Sequence, residues 1–368
     1  MNAVALDGRA PRLSGQIRVV GTGLLGASIG LAVRANGVDA ILADASPSQL
    51  RLAVDYGAGR PERDDDDPSI VVVCVPPDVV ADVVEAELAR FPNAVVTDVA
   101  SVKLAPLHEL QARGVDLVRY IGSHPMAGRE RGGAISARAD LFLGRPWVIC
   151  RDHETPVDAL ALIEDLALDL GAIPIEMTPE EHDASVGLVS HVPQIVSSAL
   201  AKQLVSAPDA AVRLTGQGLR DTVRIASSQP ELWVQILASN GAPVVEVLDR
   251  LVDDLRGVAD ALRDPDAPGS RREIADVIAA GNAGVARLPG KHGQDRRFAQ
   301  IVVMIDDAPG ELGRLLSELG EIGVNMEDLR LEHSPGAQIG LAEISVLPEV
   351  QQRTVDDLEA RGWRIASV

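Results

Sequence analysis

Apolar residues fall into two alternating patterns from Ile17 to about Ile175. Short unbroken runs such as Ile70–Val75, Ala94–Val99, Leu117–Ile121 and Trp147–Cys150 read as buried strands, and the stretches between them follow helical spacing. That alternation is the βαβ signature of a parallel sheet with helices on its faces. The pattern changes at Thr178-Pro179-Glu180-Glu181, where Thr178 suits an N-cap, Pro179 the first helical position and Glu181 a capping box. From there to Ala286 the spacing is helical, with no run that reads as a strand. Leu288–Arg297 is a polar linker bearing glycine and proline, after which the pattern resets: strand over Ala299–Ile305, helix over Pro309–Gly320, strand over Ile339–Leu347. The organisation expected is a loose extension over 1–15, a doubly wound α/β domain over 16–177, a helical domain over 178–287, the linker 288–297, and a small α+β module over 298–368.

Composition narrows the partners. Of 368 residues 46% are hydrophobic but only 2% aromatic, so the cores are built from Ala, Val, Leu and Ile. Helices of that kind usually bury a face against another subunit or domain. The net charge of −20 argues against nucleic acid or an anionic membrane as partner. No apolar run stands out as a membrane span, and the aspartate run Asp64–Asp67 reads as a solvated loop. Cys74 and Cys150 both lie in strand-like runs, which favours buried free thiols and a reducing, cytoplasmic setting. No Cys/His spacing suggests a metal site.

Candidate chemistry begins at Arg18–Gly30, a strand running into Gly21-x-Gly23-x-x-Gly26 and then a helix. Gly21 would make the tight bend, Gly23 admit a pyrophosphate to the backbone, and Gly26 let the helix pack on the strand. The phosphates would sit on the helix N-terminus. Asp44 ends the next strand, where a ribose-binding carboxylate is expected, and its charge favours NAD over NADP.

Three further segments carry polar residues in suggestive places. In Thr97–Lys103, Ser101 follows a strand and either contacts a reacting hydroxyl or, with Asp98, caps the next helix. In Gly122–Gly128, His124 follows the Leu117–Ile121 strand in an irregular stretch. An imidazole there is either a base for an alcohol proton or a structural histidine, and Glu130 lies close by in sequence. In the helical region, His191 precedes a kinking Pro193, while Asp221 and Arg224 stand three apart on one helical face. That pair is either a held arginine clamp for a carboxylate or an ordinary surface ion pair.

Together GTGLLGASIG, VVVCVPP (71–77), TDVASVK (97–103), GSHPMAGRE (122–130), HD (182–183), SHVPQ (190–194) and GLRDTVRIA (218–226), with Trp233 downstream, resemble the prephenate/arogenate dehydrogenases of tyrosine biosynthesis. The resemblance implies NAD-dependent oxidative decarboxylation on a Rossmann-type fold, with Leu24, Leu25, Val75 and Pro76 joining the three glycines and Asp44 at the cofactor. It implies His124 as the catalytic base supported by Ser101, and Arg224, His191, Asp221 and Glu130 at the substrate. Pairing of two chains through the helical domain follows as well. The C-terminal module is similar to ACT domains, ferredoxin-like amino-acid sensors; Asp307, Pro309, Gly310, Asn325 and Met326 occupy the corresponding ligand positions, for tyrosine or phenylalanine. A purely structural dimerisation role is the alternative for that module. Dehydrogenation of another hydroxy acid, or an idle amino-acid sensor, is the alternative for the chain.

Overall fold

The computed structural model describes residues 11–128, 132–151, 155–288, 298–333 and 339–366. The N-terminal half is an eight-stranded sheet. In chain order it comprises β1 (Gln16–Val20), α1 (Leu24–Ala35), β2 (Asp39–Ala43), α2 (Pro47–Asp55), β3 (Arg60–Pro61), β4 (Ile70–Val73), α3 (Val80–Arg90), β5 (Val95–Asp98) and α4 (Leu104–Ala112). It closes with β6 (Tyr120–Pro125), β7 (Pro146–Cys150), α5 (Val157–Asp169) and β8 (Ile173–Met177). Helices follow: α6 (Pro179–Val186), α7 (Val192–Gln203), α8 (Asp209–Arg213), α9 (Gln217–Val223), α10 (Pro230–Ser239), α11 (Gly241–Arg263) and α12 (Ser270–Val285). The last elements are β9 (Ala299–Asp306), α13 (Glu311–Glu321), β10 (Asp328–His333), β11 (Ile339–Val346), α14 (Gln351–Ala360) and β12 (Arg364–Ala366).

The chain forms two compact units. The first holds residues 1–205 and 223–250, the second 206–222 and 251–368, so helices from 178–287 contribute to both. In the first unit the strand order is β3-β2-β1-β4-β5-β6-β7-β8. The strand order reverses between β1 and β4, where nucleotide-type ligands bind in open α/β sheets. The all-parallel sheet expected from the alternation is not complete: β7 runs antiparallel to β6. The connection between them carries only a 3₁₀ turn at Ala134–Ser136 among its described residues, in place of the crossover helix that parallel neighbours need.

In the second unit the C-terminal module has the element order βαββαβ and the antiparallel strand order β10-β11-β9-β12, the ferredoxin-like arrangement expected. Its core is Ile301, Val303, Ile305, Leu315, Leu319, Ala342, Ile344, Val346, Leu358 and Trp363.

Three expectations change on contact with the structure. The segment 11–15 is not loose: Asp169, almost fully buried, accepts the amides of Arg12 (2.9 Å) and Leu13 (2.9 Å). The aspartate run is not uniformly solvated either, because the Asp66 side chain is only 4% exposed, held by Arg60 and by the Arg63 amide at 2.7 Å. And Pro179–Ser206 is a continuous helical stretch of 28 residues containing an 18-residue window of mean hydropathy 1.2, long and apolar enough to cross a membrane by length and composition. Its polar residues His182, Asp183 and His191 are buried with partners inside the first unit, so it is built into the fold there.

Candidate active site

The glycine turn is dictated by close packing at two positions and by open space at the third. Gly21 has φ +94°, and a Cβ there would lie 2.4 Å from the O of Cys74, the residue just after β4. A Cβ on Gly26 would lie 1.9 Å from Gly21 O, so only glycine lets α1 approach β1 this closely. At Gly23, the N-cap of α1, a Cβ would meet nothing within 4 Å, and no side chain caps the helix. The space in front of the free N–H groups of the first turn, which includes Leu24 and Leu25, is therefore the kind of cradle a pyrophosphate fills. Asp44 is held in place by Thr22 N (2.6 Å) and Thr22 Oγ1 (2.7 Å) on one oxygen and Ser46 N (2.8 Å) on the other. A carboxylate offers about four acceptor sites, so Asp44 keeps capacity for a ribose hydroxyl. Val75 and Pro76 follow β4 at the same carboxyl edge. The residues present fit a dinucleotide.

Beside this edge lies a buried polar cluster. Asp98, fully buried at the end of β5, pairs with the Lys103 ammonium and accepts from Tyr120 Oη (2.7 Å) and Ala100 N (2.9 Å). Lys103 Nζ also donates to Ser123 O at 2.7 Å, tying the loop after β5 to β6. Neither Asp98 nor Ser101 caps α4, the alternative open from the sequence. The cap comes instead from Asp183 on α6, whose Oδ1 accepts Lys103 N (2.9 Å) and whose Oδ2 accepts Leu104 N (2.9 Å). The half-buried Ser101 makes no hydrogen bond among the described residues.

His124 stands inside β6 rather than in a loop after it, opposite Val148 of β7. The expected strand over Leu117–Ile121 begins later, at Tyr120, because Leu117 closes a turn by accepting the Tyr120 amide. His124 Nδ1 lies 2.9 Å from His182 Nε2, and His182 Nδ1 lies 2.7 Å from Asp183 Oδ1. Both Asp183 oxygens already receive amides, so the last contact is an N–H donated by His182. With its one proton on Nδ1, the His182 ring carries its lone pair on Nε2 and accepts the Nδ1–H of His124. What remains on His124 is an Nε2 lone pair, the form a general base requires. Burial first, then repulsion from the Lys103 ammonium and from any proton on the neighbouring His182 or His191, push the His124 pKa well below the usual histidine range. The ring is therefore neutral near pH 7.

His191 sits at the end of a π-turn, Gly187–His191, where Val192 N reaches back to Gly187 O ahead of Pro193. It is buried, packs edge-on against Trp233 with ring centroids 6.1 Å apart, and has Asn240 Nδ2 3.0 Å from its Nδ1. Arg224 is exposed and opens a 3₁₀ turn that packs on α7, with Ser228 bonded to Gln194 at 3.3 Å. Because α9 ends at Val223, the continuous helical face expected for Asp221 and Arg224 is interrupted. Asp221 accepts from Gln217 Nε2 at 2.8 Å, and no ion pair joins it to Arg224 among the described residues. Glu130 lies outside the described residues. In the C-terminal module Asp307, Pro309, Gly310 (φ +95°) and Asn325 are exposed, and Met326 is half-buried against the module's core.

Sequence reasoning gave no role to His182, Asp183, Asn240 or Lys103. The available signal was the pair His182-Asp183 directly after the capping box, two ionisable residues on a helix start that the fold buries completely.

A glycine cradle at the reversal point of a doubly wound sheet, with a neutral histidine on a strand of the same sheet, fits a nicotinamide-dependent oxidoreductase. Sequence profiles identify which one. The profile of the prephenate dehydrogenase nucleotide-binding domain matches residues 29–176, beginning just past the glycine fingerprint, and that of the family's dimerisation domain matches 178–275. NovF of Streptomyces niveus, a probable prephenate dehydrogenase, is 36% identical over 353 residues, 94% of this chain and 98% of that protein. The prephenate dehydrogenase of A. aeolicus, solved with hydroxyphenyl propionate and NAD+, superposes with TM-score 0.64 at 25% identity, covering 73% of this chain and 98% of that one. Synechocystis arogenate dehydrogenase gives 0.59 at 27% identity, covering 73% and 99%. The chain belongs to the prephenate dehydrogenase family of NAD-dependent oxidoreductases.

Proposed function

We propose that this enzyme oxidises prephenate with NAD+, releasing CO2 and 4-hydroxyphenylpyruvate, with arogenate, giving tyrosine, as the second substrate to test. The observation that carries the proposal is the Asp183–His182–His124 chain, which supports an unprotonated Nε2 on His124. When bound, NAD+ supplies the hydride acceptor, and Gly21, Gly23, Leu24, Leu25, Gly26, Asp44, Val75 and Pro76 are the residues that would hold it. His124 Nε2 accepts a hydrogen bond from the ring hydroxyl and takes its proton as the same carbon gives up hydride. The ring carboxylate then leaves as CO2 while the ring becomes aromatic. Ser101, free to turn its hydroxyl, supports the same oxygen. Arg224 supplies a forked cation for a substrate carboxylate, aided by His191, and Asp221 and Glu130 complete the proposed set.

The dimerisation-domain match and exposed apolar side chains on the helices, among them Val234 (66%), Leu262 (61%) and Ile278 (60%), support a homodimer. Free Cys74 and Cys150 suit a reducing cytoplasm. The C-terminal module, with Asp307, Pro309, Gly310, Asn325 and Met326, is the candidate seat of a tyrosine or phenylalanine effector. NADH formation with prephenate and with arogenate, each with NAD+ and NADP+, tests the reading. Turnover with NAD+ is expected. Silence on both substrates while NAD+ still binds would redirect it to another hydroxy acid or to an idle sensor.

A further inference from the structure

Two histidines, His124 and His191, are wired to Asp183 to opposite effect. Asp183's carboxylate reaches His124 through His182, whereas its main-chain carbonyl reaches His191 through Asn240. Asn240 Nδ2 lies 2.8 Å from Asp183 O and 3.0 Å from His191 Nδ1. A carbonyl oxygen only accepts, so the atom facing it must be the amide nitrogen, and the orientation of Asn240 is settled without reference to the histidine. That nitrogen has two hydrogens. One goes to Asp183 O, and the second points at His191 Nδ1, which must accept it. Asn240 is 2% exposed and His191 1%, so water does not compete for either contact.

We infer that Asn240 is a positioning residue: by donating to His191 Nδ1 it holds that ring as the Nε2–H tautomer, a neutral donor for an oxygen of the substrate. The inference rests on the proposed reading that an anionic hydroxy acid binds beside His124. Burial also lowers the His191 pKa to about 4, so the ring donates without carrying charge. The distinction matters for a substrate that must lose a carboxylate as CO2. With Arg224 already supplying a cation, a neutral His191 adds a directed hydrogen bond to the substrate without a second positive charge, which would stabilise the ground-state carboxylate more than a transition state in which that charge disperses. His124 presents a lone pair and His191 a hydrogen. One aspartate sets both.

Two measurements on the full-length protein test this. Imidazole ¹⁵N spectra of wild type, with His191 assigned by its loss in His191→Gln, should show an unprotonated Nδ1 and a protonated Nε2. In Asn240→Leu the KM for prephenate should rise about tenfold, as one hydrogen bond to a charged oxygen weakens. In the same variant kcat should stay within about threefold and the KM for NAD+ should not move. If the leucine variant does not fold, Asn240→Asp carries the same test, since its carboxylate accepts an Nδ1–H and reverses the tautomer. A wild-type spectrum with Nδ1 protonated, or a folded variant with unchanged KM for prephenate, would overturn the assignment. Absence of wild-type turnover would remove the functional reading alone, because the spectrum still decides what Asn240 does.

Discussion

Replacing Asp183 by asparagine should separate two jobs that one carboxylate now performs. Its oxygens receive Lys103 N and Leu104 N at 2.9 Å each and His182 Nδ1 at 2.7 Å. An amide has a single oxygen. Turned one way, it keeps His182 and Lys103 N but sets an NH2 against Leu104 N. Turned the other way, it keeps Leu104 N, sets the NH2 against Lys103 N, and donates to His182, reversing the tautomers of His182 and His124. Either way a buried backbone N–H is orphaned, costing ~1–3 kcal/mol, and a negative charge is lost from the α4 N-terminus, costing ~0.3–1 kcal/mol more. A stability loss of about 1–4 kcal/mol is expected in urea melts followed by circular dichroism. Turnover loses more, since the charge that steadies the protonated chain is gone; kcat should fall ~10²–10⁴-fold in a 340 nm assay with prephenate, as expected for a wrongly set or unsupported histidine base. NAD+ affinity should be nearly unchanged, because Gly21–Gly26 and Asp44 are untouched. A folded variant that lost the stability but kept kcat within about threefold would leave the helix cap standing and refute the Asp183–His182–His124 relay.

Three further outcomes follow from the same structure. Gly23→Ala should melt within about 0.5 kcal/mol of wild type yet weaken NAD+ binding in calorimetry, because its Cβ enters open space at the cradle; Gly21→Ala, 2.4 Å from Cys74 O at φ +94°, should damage both. Lys103→Met leaves Asp98 fully buried without its cation and should cost about 3–5 kcal/mol in chemical denaturation, where a loss below about 1 kcal/mol would contradict the buried pair. His191, with its folded pKa lowered to about 4, makes stability pH-dependent: below pH 6.5 the unfolded chain takes a proton that the folded one refuses. The contribution is present above that pH and up to about 3 kcal/mol is lost as pH falls towards 4; His191→Gln should flatten the slope, and an equal slope would contradict the assignment.

The sequence was most legible where a local rule fixes the outcome. The three glycines lie where an added Cβ would hit backbone or enter the cradle, and Thr178 forms the capping box with Glu181, its Oγ1 accepting Glu181 N at 3.2 Å and its own N donating to Glu181 Oε2 at 2.9 Å. Hydrophobic spacing likewise located most of the strands and the ferredoxin-like module. It was blind to partners distant in the chain. The residue capping α4 lies 80 positions downstream of Lys103, and no periodicity reports that. The same holds for Asp66 under Arg60 and for Arg18, buried on β1 by its fork to Glu87 (2.8 and 3.0 Å). His124 was legible as a reactive type in a special segment, but its protonation form depends on His182 and Asp183, which only the tertiary structure brings to it.

The account turns on His124 Nε2 as the base. Steady-state turnover of prephenate by His124→Asn, measured alongside NAD+ binding, tests it most directly. The account predicts kcat lower by ~10²–10⁴-fold with NAD+ affinity nearly intact. Near-normal turnover in the folded variant would contradict it.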